Sequence, residues 1–175
     1  MVKEYDEIFS LGSNCSVAHQ IKRHGCRKCS GQLDWVVTQN AGTIIDLLRC
    51  QFRDFMLYDN LEILGEHDNC YKVRDKKYDI ISVHDFEKDK PLRSTYEKFR
   101  IKIDRRINRF LEMVSSLDKI LFIREHATPK EAINIKKAIG TFKPNNYELT
   151  IINCHYHNHL MYFSCVNDIP LYDIL

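Results

Sequence analysis

The residue best suited to covalent chemistry is Cys15, which ends the segment Gly12, Ser13, Asn14 and Cys15 between a short apolar run and a helical pattern. Gly12 permits a sharp turn, so we expect the cysteine at or near the N-terminus of the next helix. Free N–H groups and the helix dipole stabilise a thiolate there, and the same N–H groups, with Asn14, could hold an oxyanion. We predict that Cys15 is a nucleophile; the alternative is a small buried core residue.

A thiol nucleophile needs a base, and the base needs a group that orients it. His84 is the predicted base because it follows an apolar strand candidate and would leave the sheet at the same edge as Cys15. His126 is the second candidate for the base. Either Asp85, next in the chain, or Asp34, before a β-prone segment, could orient His84. The alternatives are an exposed turn histidine for His84 and a turn-forming role for Asp85.

Four residues are candidates for substrate binding. Arg124 could clamp a carboxylate or phosphate with its fork-shaped guanidinium, or it could instead form an ion pair with the neighbouring Glu125 or another acidic residue. The other candidates are Ser13, Trp35 and His126.

The elements that must position these residues follow from hydrophobic patterning. Apolar runs predict strands at residues 8–11, 78–83, 120–123 and 149–152. Helical patterns cover residues 16–23 and a segment that Thr43 can cap. Two further helices are predicted at residues 94–116, which begin with a capping-box sequence, and at residues 128–140, with Pro129 at the first helical position. Residues 35–37 are β-prone, residues 56–77 look irregular apart from a short hairpin near Tyr71, and residues 160–175 are ambiguous.

Strands that alternate with helices predict an α/β fold. We expect a single three-layer domain over residues 1–175, with a mostly parallel central sheet and helices on both faces. The carboxyl ends of parallel strands meet at one edge, where ligands bind. Cys15, His84 and His126 should therefore lie together at that edge.

Composition limits the function classes. The chain has 175 residues and a formal net charge of +2, which gives no argument for a nucleic-acid or membrane partner. The N-terminus does not resemble a leader, and no apolar stretch is long enough to span a membrane. We therefore expect a soluble cytoplasmic protein in which the seven cysteines are reduced thiols. The chemistry above requires no cofactor, and the oligomeric state is open.

Four short motifs, at residues 11–18, 33–35, 83–86 and 122–124, occur in an order that resembles one family across residues 8–152. It is a family of bacterial and viral proteins described as papain-like cysteine peptidases and as a domain of unknown function. The resemblance implies a thiol hydrolase with Cys15 in the cysteine motif, His84 and Asp85 in the His-Asp motif, and Asp34 and Trp35 in the Asp-Trp motif.

The resemblance also carries expectations about fold. In papain-like enzymes a cysteine-bearing helix packs on an antiparallel barrel-like sheet that carries the histidine, whereas the strand–helix alternation here favours a parallel sheet. The usual Pro-Phe before Asp-Trp is replaced by Gln32 and Leu33. A strand followed by Gly-Ser-x-Cys and a helix also resembles the nucleophile turn of SGNH esterase-like hydrolases. Both resemblances imply nucleophilic acyl chemistry. We therefore expect a peptide or another acyl or ester substrate, and Arg124 could bind an acidic group of it.

Two other classes remain open. The chain could be a non-enzymatic module that binds an anionic or glycan-like ligand in the strand-end pocket, with Cys15 inert. It could also hold a structural zinc ion between Cys26, Cys29, Cys154 and His157, although two loop thiols and a polar histidine-rich turn are favoured over a metal site.

Overall fold

A computed structural model describes the backbone of residues 4–157 and 160–167 and the side chains of residues 4–153. The described elements are β1 (Glu7–Ser10), α1 (Ser16–Arg23), β2 (Val36–Val37), α2 (Ala41–Arg49), a 3-10 turn (Tyr58–Asn60), β3 (Leu61–His67), β4 (Cys70–Asp75), β5 (Ile80–Ser82), α3 (Leu92–Ser116), β6 (Ile120–Glu125), α4 (Pro129–Gly140), β7 (Tyr147–His157) and β8 (Leu160–Asn167). None of the helices in these ranges has the length and apolar character that a membrane span needs.

The fold is mixed α/β, as predicted, but its strands divide between two sheets. The first sheet has the order β1-β6-β7-β8, in which β1, β6 and β7 are parallel and β8 is antiparallel to β7. The second sheet has the order β2-β5-β4-β3 and is antiparallel throughout. The expected single parallel sheet is therefore wrong for β5, which pairs with β2 and β4.

The second sheet contains a hairpin that the sequence pattern did not predict in full. Strands β3 and β4 pair over residues 61–75, with a shift in register between Ile63 and Gly65. Ile63 and Leu64 are both 48% exposed. Consecutive exposed apolar residues break the inside–outside alternation by which a half-buried strand is recognised, so the segment looked irregular.

Helix α3 packs against aromatic residues of both halves of the fold. Near its start, the rings of Phe99 and Phe86 lie 4.7 Å apart, beyond the end of β5. Farther along, the ring of Phe110 lies 5.0 Å from Phe9 of β1 and 6.4 Å from Phe122 of β6. One apolar stripe at helical spacing thus joins the antiparallel sheet to the parallel one.

The helix starts agree with the predictions in part. The predicted start of α4 at Thr128 is confirmed, with Pro129 in the first turn, and Thr128 and Glu131 form a capping box there that was not predicted. The cap of α2 is the Asn40 side chain rather than Thr43, and α3 begins at Leu92, ahead of the predicted capping box. Both predicted caps lie three residues after the observed ones, Thr43 against Asn40 and Ser94 against Pro91, because a hydroxyl residue just ahead of an apolar stripe is typical of an N-cap.

Candidate active site

The turn that carries the predicted nucleophile is fixed to the end of β2. Gly12 and Ser13 both have positive φ, at 77° and 80°. A Cβ atom on Gly12 would lie 2.7 Å from Oγ1 of Thr38, so only glycine fits there without displacement. The Ser13 amide donates to that hydroxyl at 2.8 Å, and the Thr38 amide donates to the Ser13 carbonyl at 2.9 Å. Ser13 is buried, and its backbone joins the turn to Thr38 through these two hydrogen bonds.

Cys15 is the N-cap residue of α1, as the sequence predicted. Its carbonyl accepts a hydrogen bond from the His19 amide at 3.0 Å, and Oδ1 of Asn14 accepts from the Ser16 amide at 2.7 Å. The Cys15 thiol is partly exposed and makes no hydrogen bond with a described residue. Within the described chain, three amides at this helix start also lack a hydrogen-bond acceptor: those of Cys15, Val17 and Ala18. Free amides at a helix start are donors of the kind that can bind an anion.

Arg124 occupies the junction between the two sheets. It is 0% exposed, and its guanidinium donates to the Leu11 carbonyl at 2.8 Å and to Oγ1 and the carbonyl of Thr38 at 3.1 and 3.2 Å. Burial lowers the pKa of Arg124 to about 10. The side chain predicted to clamp a substrate is thus turned inward in this structure and held by the chain's own oxygens.

Trp35 brings together residues from both halves of the fold. Its ring lies edge-on to His19 of α1, with centroids 5.0 Å apart, and edge-on to His84, with centroids 5.9 Å apart. The guanidinium carbon of Arg27 lies 5.2 Å from the ring centroid. The helix that begins at Cys15 and the segment after β5 therefore converge on one tryptophan, although they do not share a sheet edge.

Two histidines near this tryptophan were not predicted as site residues. His19 lies four residues after Cys15 on α1, a spacing that places two side chains on the same helix face and could have identified it. His67, at the end of β3, contacts His84 with ring centroids 5.9 Å apart. No sequence signal identified His67, because the β3–β4 hairpin that positions it was not recognised.

His84 is exposed and makes no hydrogen bond with any described residue, Cys15 included. Asp85 accepts a hydrogen bond from Oγ of Ser82 at 2.6 Å and forms an ion pair with Lys102. Its side chain is 7% exposed. The Asp85 carboxylate is therefore bound to β5 and α3 and does not contact His84.

Asp34 stabilises the loop that carries Trp35. Its carboxylate pairs with Arg27 and accepts the Gly31 amide at 2.7 Å. Burial raises the pKa of Asp34, although the Arg27 charge opposes that shift. Asp34 thus fixes Arg27 and the turn that precedes Trp35, and it makes no hydrogen bond with His84.

His126 borders a different space, at the carboxyl edge of the parallel sheet. It is exposed, has a φ of 58°, and lines a cavity of about 420 Å³ with Gln39, Thr128, Glu131 and Asn153 among its neighbours. This is the edge where a parallel sheet is expected to bind ligands, but His84 is not a neighbour there.

The C-x-x-C segment forms no metal site with described side chains. Cys26 is exposed, and the Cys29 thiol donates to Oε2 of Glu7 at 3.4 Å. No cluster of three metal-binding side chains occurs within residues 4–153. The side chains of Cys154 and His157 lie outside the described residues.

A family model described as "Putative papain-like cysteine peptidase (DUF1796)" matches residues 6–155. A protein of Acanthamoeba polyphaga mimivirus, "Uncharacterized protein R408", is 29% identical over 144 residues, which cover 72% of this chain and 65% of that protein. The chain thus spans about two thirds of the length of this curated relative. No solved structure matches the chain.

Proposed function

The chain belongs to the DUF1796 family, whose model it matches over residues 6–155, and from that premise we propose that it is a thiol-dependent hydrolase or acyl transferase. Cys15 is the nucleophile and His84 is the general base. The substrate is a peptide or another acyl compound such as an ester, and the reaction needs no cofactor.

In the proposed reaction, His84 takes the proton of the Cys15 thiol, and the thiolate attacks the substrate carbonyl carbon. The bond to the leaving amine or alcohol breaks, and His84 returns the proton to that group. Water then hydrolyses the thioester and restores the thiol, or a second nucleophile accepts the acyl group. The amides of Cys15 and Val17, together with Nδ2 of Asn14, are the donors for the oxyanion.

The convergence on Trp35 is the observation that supports this assignment. The two rings that flank Trp35 belong to α1, the helix capped by Cys15, and to the segment that carries His84. A cysteine that caps a helix, and a histidine that follows a strand of an antiparallel sheet and contacts the same tryptophan as that helix, are similar to the arrangement that the family resemblance implies. The absence of a Cys15–His84 hydrogen bond is compatible with an unliganded site, since catalytic contacts often tighten when substrate binds.

Thiol reactivity tests the nucleophile. Iodoacetamide should modify Cys15 faster than the other thiols, and the fast phase should vanish in Cys15→Ser but persist in Cys26→Ser, the matched control in an exposed loop. Cys15 labelling at the same rate as Cys26 would contradict the proposal and favour the non-enzymatic binding module.

Histidine variants test the base. We expect His84→Gln to reduce hydrolysis of peptide and p-nitrophenyl ester substrates by about 100-fold or more, a usual contribution of general-base catalysis. His19→Gln should retain most of that activity, because His19 packs against Trp35 and takes no proton in the proposed reaction. Loss of activity in His19→Gln with retention in His84→Gln would overturn the assignment of the base.

A further inference from the structure

A cationic pocket lies beside Trp35, on the side of the ring where Arg27 stacks. Its volume is about 310 Å³, and its lining residues are Lys22, Arg27, Lys28, Cys29, Ser30 and Trp35. We call it the Trp35 pocket. Three of its six lining residues are cations and none is an acid, so it presents positive charge beside an aromatic surface.

The guanidinium of Arg27 is held in place before any ligand arrives. Its Nε donates to the Cys29 carbonyl at 3.1 Å, and its Nη2 pairs with Asp34. Nη1 makes no hydrogen bond with a described residue, so it retains donors for a ligand. A guanidinium that is already fixed loses little conformational entropy on binding.

The two lysines supply charge that the described part of the chain does not neutralise. Lys22 and Lys28 are exposed, and neither forms an ion pair with a described residue. The nearby carboxylates, Asp34 and Glu7, are buried and engaged by Arg27 and Cys29. Arg109 lies close behind, because it donates to the Ser30 carbonyl. The local balance favours a ligand with negative charge.

The Trp35 pocket is aligned with the proposed nucleophile along α1. Cys15, His19 and Lys22 are spaced by four and three residues, which places them on one face of the helix. Seven residues of helix separate the thiol from Lys22 by about 10 Å along the axis. An extended peptide covers that distance in about three residues.

From this geometry we propose that the Trp35 pocket binds an acidic side chain of a peptide substrate, about three residues from the bond that Cys15 attacks. The Trp35 pocket is then a determinant of substrate specificity, and its part in cleavage rests on the proposed function. A single pocket fits one or two carboxylates, whereas nucleic-acid binding requires a charged surface that follows successive phosphates.

Binding can be measured without catalysis, because Trp35 is the only tryptophan of the chain and reports on its own pocket. The protein is the full chain with Cys15→Ala, and the probes are an alanine-based octapeptide with two adjacent glutamates and its glutamine counterpart. We expect the glutamate peptide to change the tryptophan fluorescence with a salt-sensitive affinity, and the glutamine peptide to bind several-fold more weakly. Equal affinity for the two peptides would overturn the proposal.

Charge variants test the location. Lys22→Gln and Lys28→Gln should each weaken binding of the glutamate peptide by about two- to fivefold, the range for exposed ion pairs. Lys76→Gln, at an exposed lysine in the turn between β4 and β5, should bind like the parent. Unchanged affinity in both pocket variants would exclude this site. If the parent binds a single-stranded oligonucleotide more tightly than a peptide of equal charge, the ligand is a nucleic acid and the proposal is wrong.

Cleavage is then measured on the chain with Cys15 intact, using peptides in which one glutamate is moved along the sequence. We expect the highest rate when the glutamate lies about three residues from the cleaved bond. Hydrolysis without a charge preference would overturn the pocket assignment alone. Glutamate-selective binding without hydrolysis would overturn the proposed function and leave the pocket intact.

Discussion

The rings of Trp35 and His84 meet nearly at right angles, with centroids 5.9 Å apart, although one precedes β2 and the other follows β5. Because β2 and β5 are antiparallel neighbours in the second sheet, the end of one strand lies beside the start of the other. Trp35 also contacts His19 of α1, the helix that Cys15 caps. A short antiparallel pairing therefore connects the candidate base to the helix of the candidate nucleophile.

Replacing Arg124 should destabilise the fold. Arg124→Met removes three hydrogen bonds from a buried guanidinium and leaves the carbonyls of Leu11 and Thr38 without their donors. We expect the free energy of unfolding, measured by urea denaturation, to fall by about 3 kcal/mol. Arg105→Met, at an exposed position of α3, should change it by less than about 0.5 kcal/mol. A similar loss in both variants would argue against Arg124 as the link between the sheets.

Two glycines separate the cost of backbone conformation from the cost of steric contact. Gly12 and Gly25 both have positive φ, at 77° and 69°, but only at Gly12 would a Cβ meet a neighbour, Oγ1 of Thr38 at 2.7 Å. Gly25→Ala should lower the free energy of unfolding by about 1 kcal/mol, and Gly12→Ala by at least about 2 kcal/mol. Equal losses in urea unfolding would mean that the Thr38 contact relaxes without cost.

Asp75 should make stability depend on pH. Burial raises the pKa of Asp75 above its ordinary value of 3.8, although it accepts the Met56 amide at 2.6 Å. Between the unfolded and folded pKa values, the folded chain keeps a proton that the unfolded chain has released, so rising pH favours unfolding. The stability of the parent relative to Asp75→Asn should therefore fall as the pH rises from about 4. Asp89→Asn, at an exposed position, is the control, and a relative stability that rises with pH would contradict the assignment.

Cys26 and Cys29 should differ in reactivity although they share one loop. Burial and the adjacent Glu7 carboxylate raise the pKa of Cys29 to about 11. At pH 8 about one Cys29 in a thousand is then a thiolate, so iodoacetamide should label Cys29 far more slowly than the exposed Cys26. Glu7→Gln should increase the Cys29 rate, as measured by peptide mass spectrometry. Comparable labelling of the two thiols in the parent chain would show that Glu7 does not protect Cys29.

Features that depend on residues close together in the chain could be predicted from the sequence. The Gly-Ser-Asn-Cys turn, the position of Cys15 at the start of α1 and the start of α4 at Thr128 all follow from residues close together in the chain. The three parallel strands β1, β6 and β7 were predicted for the same reason, since each is a short apolar run beside a helical pattern.

The pairing of the strands, by contrast, depends on the tertiary structure, and it places the residues of the candidate site. The apolar run of β5 fits a parallel sheet and an antiparallel sheet equally well, and its antiparallel pairing with β2 places His84 beside Trp35 instead of beside His126. In the same way, Arg124 follows the apolar run of β6 in the sequence and could face a ligand, but it donates to the oxygens of Thr38, just after β2 of the other sheet, and is buried. Strand pairing and buried hydrogen bonds join residues that are distant in the chain, so patterns within short segments do not specify them.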